Sequence, residues 1–356
     1  MAGGPPRRNP CLRKRRRPAP PRARPCDRAS SFTTSFGPAR LPGNTTLMRR
    51  LLDDGTLGRP KMDPLFGKYG LQSESLKLQR HTLPAIALSL VQRRSGRSIF
   101  GGAPLVPSNY EWPSYRPPPR NYPPALMEKF GLSAALDPVP RALDFLLQID
   151  LAELRPLDVE HDLPQRGLLT FFYDCENQPW GYDPAHQEGF RVVLFEGDDL
   201  TSRLPPNRPL ESRGLEFSRA ETLPHIGSRA YEKLAKEVTL TREYFEFVHD
   251  FERRAYGREG GLHRLFGHSA NVQGDMQLEA QLVSNGLYCG GPSGYSNARA
   301  KALEAGTQDW ILLLQLDSDD GAEIMWGDLG MLYFWIRRQD LATGRFDRAW
   351  LALQCG

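Results

Sequence analysis

The segment Phe145-Leu-Leu-Gln-Ile-Asp150 recurs as Leu312-Leu-Leu-Gln-Leu-Asp317, with glutamine and aspartate at the same places in both copies. Each copy continues into a glycine followed by an apolar run, first in Gly167–Tyr173 and then in Gly330–Ile336. A third run led by arginine closes each copy, in Arg191–Glu196 and Arg348–Leu353. Three matches in one order predict a duplicated β-rich unit, and two copies are fewer than the roughly three repeats that a solenoid needs.

Helical patterns lie before and between these β-rich copies. Apolar side chains recur at helical spacing over Arg229–Tyr256, and a second helix is predicted over Gln273–Leu282. Because the helices do not alternate with single strands, the pattern favours an α+β fold over a doubly wound sheet. We predict an internally duplicated α+β fold, with mainly antiparallel β-rich units at residues 143–197 and 311–354 and intervening helices.

Most of the chain is acidic, although the formal net charge of the 356 residues is +4. Residues 1–61 hold 15 of the 46 lysines and arginines but only 3 of the 42 acidic side chains. Residues 62–356 therefore hold 31 basic and 39 acidic side chains. Affinity for nucleic acid comes mainly from basic side chains that neutralise phosphates, so we expect no nucleic-acid partner for this acidic body.

Residues 1–61 also differ from the rest in composition. They are rich in proline and arginine and hold few apolar side chains, so we predict a disordered leader and a folded domain over residues 62–356. The leader lacks the apolar stretch of about 7–15 residues that a signal peptide requires. We expect translation to begin at Met48 or Met62, and the alternative is a translated basic tract that binds nucleic acid.

Residue spacing excludes several kinds of site. Cys175, Cys289 and Cys355 are far apart and include no Cys-x-x-Cys pair, so neither a disulfide framework nor a zinc site is predicted. The usual phosphate-binding glycine loops are absent, so nucleotide binding through them is not expected. No apolar stretch approaches the roughly 20 residues of a membrane span. We therefore expect a cytoplasmic protein with no cofactor, no metal and no membrane partner.

The most acidic stretch, Asp317-Ser-Asp-Asp-Gly321, follows a predicted strand. Oxygen ligands of this type suit Ca²⁺ or Mg²⁺, but the EF-hand register fails because glycine is the fifth residue of the loop and not the sixth. Turn formation by Asp317, Asp319 and Asp320 is the simpler interpretation, since aspartates at a strand end bond their own backbone.

Two further pairs of residues are candidates for a binding surface. Trp326 and Asp328 are either a stacking platform and an acid/base group, or a buried aromatic and a turn cap. Tyr288 and Tyr295 lie in the glycine-rich segment Gly286–Tyr295, and aromatic residues of this kind are enriched at protein interfaces.

The histidines and carboxylates around residue 270 have competing interpretations. His263 and His268 are five residues apart, or roughly 140° around a helix axis, so a helix would not aim them at one metal. Structural or capping roles are therefore the simpler interpretation. Asp275 and Glu279 share one helical face and form an acid/base pair if they are buried together. Alternatively, they complement the helix dipole near its N-terminus.

Several segments, in order along residues 62–356, resemble the YwqG-like family, a bacterial domain family of unknown function. They are Phe100–Pro104, Glu111–Pro113, Phe145–Asp150, His263–Met276, Leu312–Asp320, Met325–Asp328, Leu332–Ile336 and Trp350–Cys355. The resemblance implies an α+β fold with internal duplication. It implies no reaction, ligand or catalytic residue.

Two functions follow as hypotheses. The first is a binding or interaction module with a protein partner, whose surface is formed by the loops Asp317–Asp328 and Gly286–Tyr295. An immunity-type protein that neutralises a toxin is one version of it, by analogy alone. The alternative is a metal-assisted or acid/base hydrolase that uses Asp317, Asp319 and Asp328. The hydrolase requires these carboxylates to converge in one cleft with a raised pKa.

Overall fold

The structure, a computed structural model, describes residues 64–93, 95–118, 139–157, 163–240, 242–256 and 260–356. The predicted leader, residues 1–61, lies outside these ranges. Within them, no helix combines the length and the apolar character that crossing a bilayer would require.

The elements are mostly short helices and one set of longer strands. The α-helices are α1 (Pro64–Lys68), α2 (Ser75–Arg80), α3 (Leu151–Leu154), α4 (Arg229–Leu234), α5 (Arg242–Tyr256), α6 (Met276–Val283), α7 (Pro292–Tyr295), α8 (Ala298–Leu303) and α9 (Arg338–Ala342). Short 3-10 helices lie at Gln72–Glu74, Pro184–Gly189, Glu304–Asp309 and Phe346–Arg348. The strands are β1 (Leu83–Val91), β2 (Ile99–Phe100), β3 (Leu105–Pro107), β4 (Ser114–Tyr115), β5 (Arg141–Ala142), β6 (Asp144–Asp150), β7 (Leu168–Tyr173), β8 (Phe190–Phe195), β9 (Leu200–Ser202), β10 (Arg213–Thr222), β11 (Arg264–Phe266), β12 (Trp310–Asp317), β13 (Met331–Arg337) and β14 (Trp350–Gln354).

A ten-stranded sheet organises the domain, and its neighbouring strands are antiparallel. The strand order is β14-β13-β12-β11-β1-β10-β2-β6-β7-β8. Two small sheets, β3 with β9 and β4 with β5, accompany it. The predicted α+β class with mainly antiparallel strands is therefore confirmed.

The strand order is symmetric about the β1–β10 pair. On one side, β11 leads into the meander β12-β13-β14, and on the other, β2 leads into the meander β6-β7-β8. Strand β1 precedes the first meander in sequence but pairs with β11 of the second half. Strand β10, which precedes the second meander, pairs with β2 of the first half. Each half of the sheet therefore receives one strand from the other half of the sequence.

The two meanders share local irregularities as well as strand order. The register of β6 shifts between Phe145 and Leu147, and that of β12 shifts between Leu312 and Leu314. Gln148 and Gln315, at the same place after each bulge, are fully buried and hydrogen-bond the backbone of a neighbouring segment through both side-chain polar atoms. These shared features agree with the predicted duplication. That the two halves arose by duplication stays a prediction.

The main core lies between the two meanders. The rings of Phe171 on β7 and Phe334 on β13 are 5.1 Å apart, and those of Phe190 on β8 and Trp350 on β14 are 5.5 Å apart. These edge contacts join residues from the opposite ends of the sheet, so the sheet curls until its end strands face each other. Burial of large aromatic side chains is the main stabilising term of such a core.

A second apolar cluster holds the helices on β1 and β10. Phe247 of α5 lies 4.9 Å from the ring of Phe66 on α1, and Leu234 of α4 is buried in the same cluster. The helix predicted over Arg229–Tyr256 is divided, because α4 ends at Leu234 and α5 begins at Arg242. The β-branched residues between them disfavour helix, which explains the break.

Candidate functional site

The acidic loop after β12 is fixed by the buried side chain of His263. Its Nδ1 accepts the backbone N–H of Asp317 at 3.0 Å, so the proton is assigned to Nε2, which lies 3.2 Å from Oδ2 of Asp319. The other oxygen of Asp319 accepts the N–H of Ala322. Burial raises the pKa of Asp319, but the hydrogen bond and charge of His263, together with backbone N–H donors, outweigh it and hold the pKa below its ordinary value. The loop is thus a turn whose carboxylates bond their own surroundings.

The remaining predicted residues of this loop have separate surroundings. Oδ2 of Asp317 accepts the N–H of Leu262 at 2.8 Å, and burial raises the pKa of Asp317. Trp326 is completely buried, and its indole N–H donates to the carbonyl of Asp317, so it offers no ring face for stacking. Asp320 and Asp328 are exposed. In the described part of the chain, no three His, Cys, Asp or Glu side chains are placed to hold one metal ion.

Asp275 and Glu279 lie at the start of α6 and make different hydrogen bonds. Asp275 is the N-cap and accepts the N–H of Leu278 at 3.2 Å, as well as the backbone N–H of Arg229 at the start of α4. It therefore ties two helix N-termini together. Burial raises the pKa of Glu279 to about 7, and Oε2 of Glu279 accepts the hydroxyl of Tyr295 at 3.2 Å.

The two loops predicted to form one binding surface both contact the segment Gln178–Tyr182. The side chain of Gln178 accepts the N–H of Gly327 at 2.8 Å, and the carbonyl of Tyr182 accepts the N–H of Cys289 at 2.8 Å. Between these contacts, the carbonyl of Trp180 accepts the N–H of Leu353 on β14. Tyr288 and Tyr295, in the second loop, are 47% and 41% exposed.

The surroundings of His268 are separate from those of His263. Its Nε2 donates to the carbonyl of His81 at 2.8 Å, and burial lowers the pKa of His268 to about 4. The ring is therefore neutral at pH 7. This histidine borders a cavity that no residue pattern in the sequence had indicated.

The cavity has a volume of about 580 Å³, opens to solvent and is lined by six separate segments. They are the end of α2 with the start of β1, the start of α4, the loop after β11, Gln277 of α6, the 3-10 helix Glu304–Asp309 with the start of β12, and the end of β13 with the start of α9. Trp310, Ile311, Leu312 and Trp335 contribute large apolar surfaces to the lining.

Cationic side chains dominate the cavity lining. Arg80, Arg229, Lys233 and Arg338 line it, and Glu304 is the one carboxylate among its lining residues. Arg229 lies 3.5 Å from Glu304, in a pair whose two side chains are partly exposed and hence weakly coupled. No described carboxylate lies within 4.0 Å of the other three cations. An acidic body thus carries one cavity with an excess of positive charge.

Comparison with protein families gives one match. A family model described as "Domain of unknown function (DUF1963)" matches residues 98–355. The matched region contains both meanders and most of the cavity wall, while Arg80 and His81 precede it. The comparison with curated proteins found no match.

Proposed function

The chain belongs to the family described as "Domain of unknown function (DUF1963)", and we propose that it is a binding module whose ligand site is the cationic cavity. The ligand is negatively charged. The observation that carries this proposal is the excess of cations around one cavity, four against a single carboxylate.

Electrostatics supports an anionic ligand. Like charges that border one cavity repel each other, and solvent weakens this repulsion because Arg80, Lys233 and Arg338 are exposed. With no described carboxylate beside Arg80, Lys233 or Arg338, that repulsion is not offset by the protein itself. An anion in the cavity offsets it and gains charge-assisted hydrogen bonds.

Size and polarity support a ligand site of the ordinary kind. Pockets for small molecules measure about 300–1,000 Å³ and combine apolar walls with a few polar groups. This cavity falls within that range, and its lining combines the cations with the apolar surfaces of Trp310, Leu312 and Trp335.

The described lining favours binding over catalysis. The hydroxyl of Ser228 donates to the carbonyl of His225 and accepts the N–H of Tyr231. The hydroxyl of Ser269 bonds Asn271, and the neutral ring of His268 donates to a carbonyl. Neither serine of the lining therefore bonds a histidine ring nitrogen, which a serine nucleophile would require.

Thermal unfolding in the presence of simple anions tests this proposal. Chloride, sulfate and pyrophosphate are compared at equal ionic strength. A ligand at about 100 times its dissociation constant adds about 2.7 kcal/mol, which raises the Tm by several degrees. We expect the rise with pyrophosphate and not with chloride. Equal Tm values in all three salts would contradict the proposal.

The tyrosine surface supports a second candidate, a protein partner. Tyr288 and Tyr295 are both more than two-fifths exposed, and the hydroxyl of Tyr295 donates to the carboxyl of Glu279. If this surface binds a partner, a Tyr288→Ala, Tyr295→Ala variant with unchanged Tm will lose a complex that the wild-type chain forms. Retention of that complex by the variant would exclude this surface.

The narrower likeness to the YwqG-like domains and a cytoplasmic location are also parts of this proposal. The likeness is supported by the segments that resemble that family, notably Phe145–Asp150 and Leu312–Asp317.

A further inference from the structure

Building on the proposed function, we infer that the ligand of the cationic cavity is a small organic phosphate. It carries at least two negative charges and, attached to them, an apolar or aromatic group. The inference rests on the charge, the donor types, the size and the apolar residues of the cavity lining.

The charge of the lining sets a minimum charge for the ligand. Arg80, Arg229, Lys233 and Arg338 bring four positive charges, and Glu304 removes one. His268, whose pKa is lowered to about 4 by burial, adds none at pH 7. A ligand with a single negative charge would leave most of this excess of three in place. A ligand with two negative charges offsets most of the excess, and one with three neutralises it.

The donor types suit phosphate. Three of the four cations are arginines, whose planar donor groups match the oxygens of phosphate in paired hydrogen bonds. Lys233 adds a compact ammonium group with three donors. Two polar side chains of the lining are already bonded, since Gln277 donates to the carbonyl of Trp310 and Ser228 caps α4. The cations are the charged donors that the lining offers to a ligand.

The size of the cavity and its apolar lining residues favour an organic phosphate over a bare ion. An inorganic phosphate would leave most of a cavity of about 580 Å³ unfilled. The wall of Trp310, Ile311, Leu312 and Trp335 offers apolar surface for the rest of the ligand. A phosphate group concentrates its charge at one end, so the other end of the molecule is free to be apolar. A tricarboxylate spreads its charge around the molecule and leaves no such end.

Calorimetric titration of the full chain with matched probes tests this inference. The probes are pyrophosphate, nucleoside diphosphates with each of the four common bases, the uncharged nucleosides, and citrate. We expect at least one nucleoside diphosphate to bind about tenfold more tightly than pyrophosphate, because apolar burial adds affinity. We expect no binding of the uncharged nucleosides.

Two lysines of the α4 region provide a matched pair of variants. Lys233 lines the cavity, while Lys236, one turn further on and exposed, does not. Lys233→Met should weaken nucleoside diphosphate binding by about tenfold, the effect of one charged hydrogen bond. Lys236→Met should leave it unchanged. An equal loss in both variants would overturn the assignment of the site.

The outcomes separate the two proposals. If pyrophosphate binds and no nucleoside diphosphate binds more tightly, the inference is overturned while the proposed anion site stands. If citrate binds more tightly than every phosphate probe, the phosphate assignment is likewise overturned. If no anion binds, the proposed function fails together with the inference.

Discussion

The carboxylate of Glu252 and the guanidinium of Arg264 lie 2.7 Å apart in the interior, where the two side chains are 1% and 0% exposed. Glu252 is on α5 and Arg264 on β11, so this ion pair joins the helical layer to the centre of the sheet. Nε2 of His225 lies 3.1 Å from the second oxygen of Glu252. The carbonyl of His225 in turn accepts the hydroxyl of Ser228, which begins α4 and borders the cavity.

Removing one partner of this pair should destabilise the fold strongly. Burial alone raises the pKa of Glu252, but the charges and hydrogen bonds of Arg264 and His225 together outweigh it and hold the pKa below its ordinary value. A Glu252→Gln variant leaves the guanidinium buried without its counter-charge. We expect the free energy of unfolding in urea to fall by about 3–5 kcal/mol.

The double variant Glu252→Gln, Arg264→Met is the control for this prediction. Removing both charges avoids leaving either one uncompensated in the interior. We expect the double variant to be more stable than Glu252→Gln alone. Strict additivity of the two single effects would show that the pair is not coupled.

His268 should make the fold less stable in mild acid. Burial lowers its pKa to about 4 from an ordinary value of 6.5, so the unfolded chain binds the proton more tightly than the folded chain does. Its contribution is fully present above pH 6.5 and is lost as the pH falls towards 4. The loss reaches at most about 3 kcal/mol. Urea unfolding at pH 7 and pH 4.5 measures it, and His268→Gln should reduce the difference; an unchanged pH slope would refute this account.

Glu279 should make the fold less stable as the pH rises, the opposite of the effect of His268. Burial raises its pKa to about 7 from 4.5, so the folded chain favours the protonated carboxyl. Stability from this group is present below pH 4.5 and is lost as the pH rises through 7. Glu279→Gln removes the titration, so we expect this variant to be more stable than wild type at pH 8, by up to about 3 kcal/mol. Equal stability of the two chains at pH 8 would contradict the pKa assigned to Glu279.

Divalent ions should leave the Tm unchanged. Asp317 and Asp319 already accept backbone N–H groups, and Asp319 also bonds His263, so their oxygens are not free to form one site. Thermal unfolding with Ca²⁺, Mg²⁺, Mn²⁺ or Zn²⁺, against an EDTA control, measures this. A Tm shift that disappears in Asp317→Ala and Asp328→Ala would restore the metal-dependent hydrolase to first place.

The repeat could be predicted from the sequence because its features are local. Strand-forming runs, a glycine and a glutamine recur in the same order, and the structure places Gln148 and Gln315 in equivalent buried positions. The exchange of β1 and β10 between the halves could not be predicted. Which strand pairs with which depends on long-range contacts that leave no periodic pattern in either strand.

The roles of the predicted site residues depend on local sequence, whereas the cavity depends on contacts between distant segments. Asp275 is an N-cap and Asp319 a turn former, as the simpler interpretations had it, because capping and turn formation depend on residues three or four positions away. The cavity draws its cations from Arg80, Arg229 and Arg338, which the fold alone brings together.

The most direct test of the proposed anion site is the dissociation constant of pyrophosphate at two salt concentrations, for the wild-type chain, Lys233→Met and Lys236→Met. We predict measurable binding by the wild type that weakens as salt rises, since the attraction is electrostatic. Binding should be about tenfold weaker in Lys233→Met and unchanged in Lys236→Met. Absence of binding by the wild type, or equal affinity in all three chains, would contradict the assignment of the cavity as the ligand site.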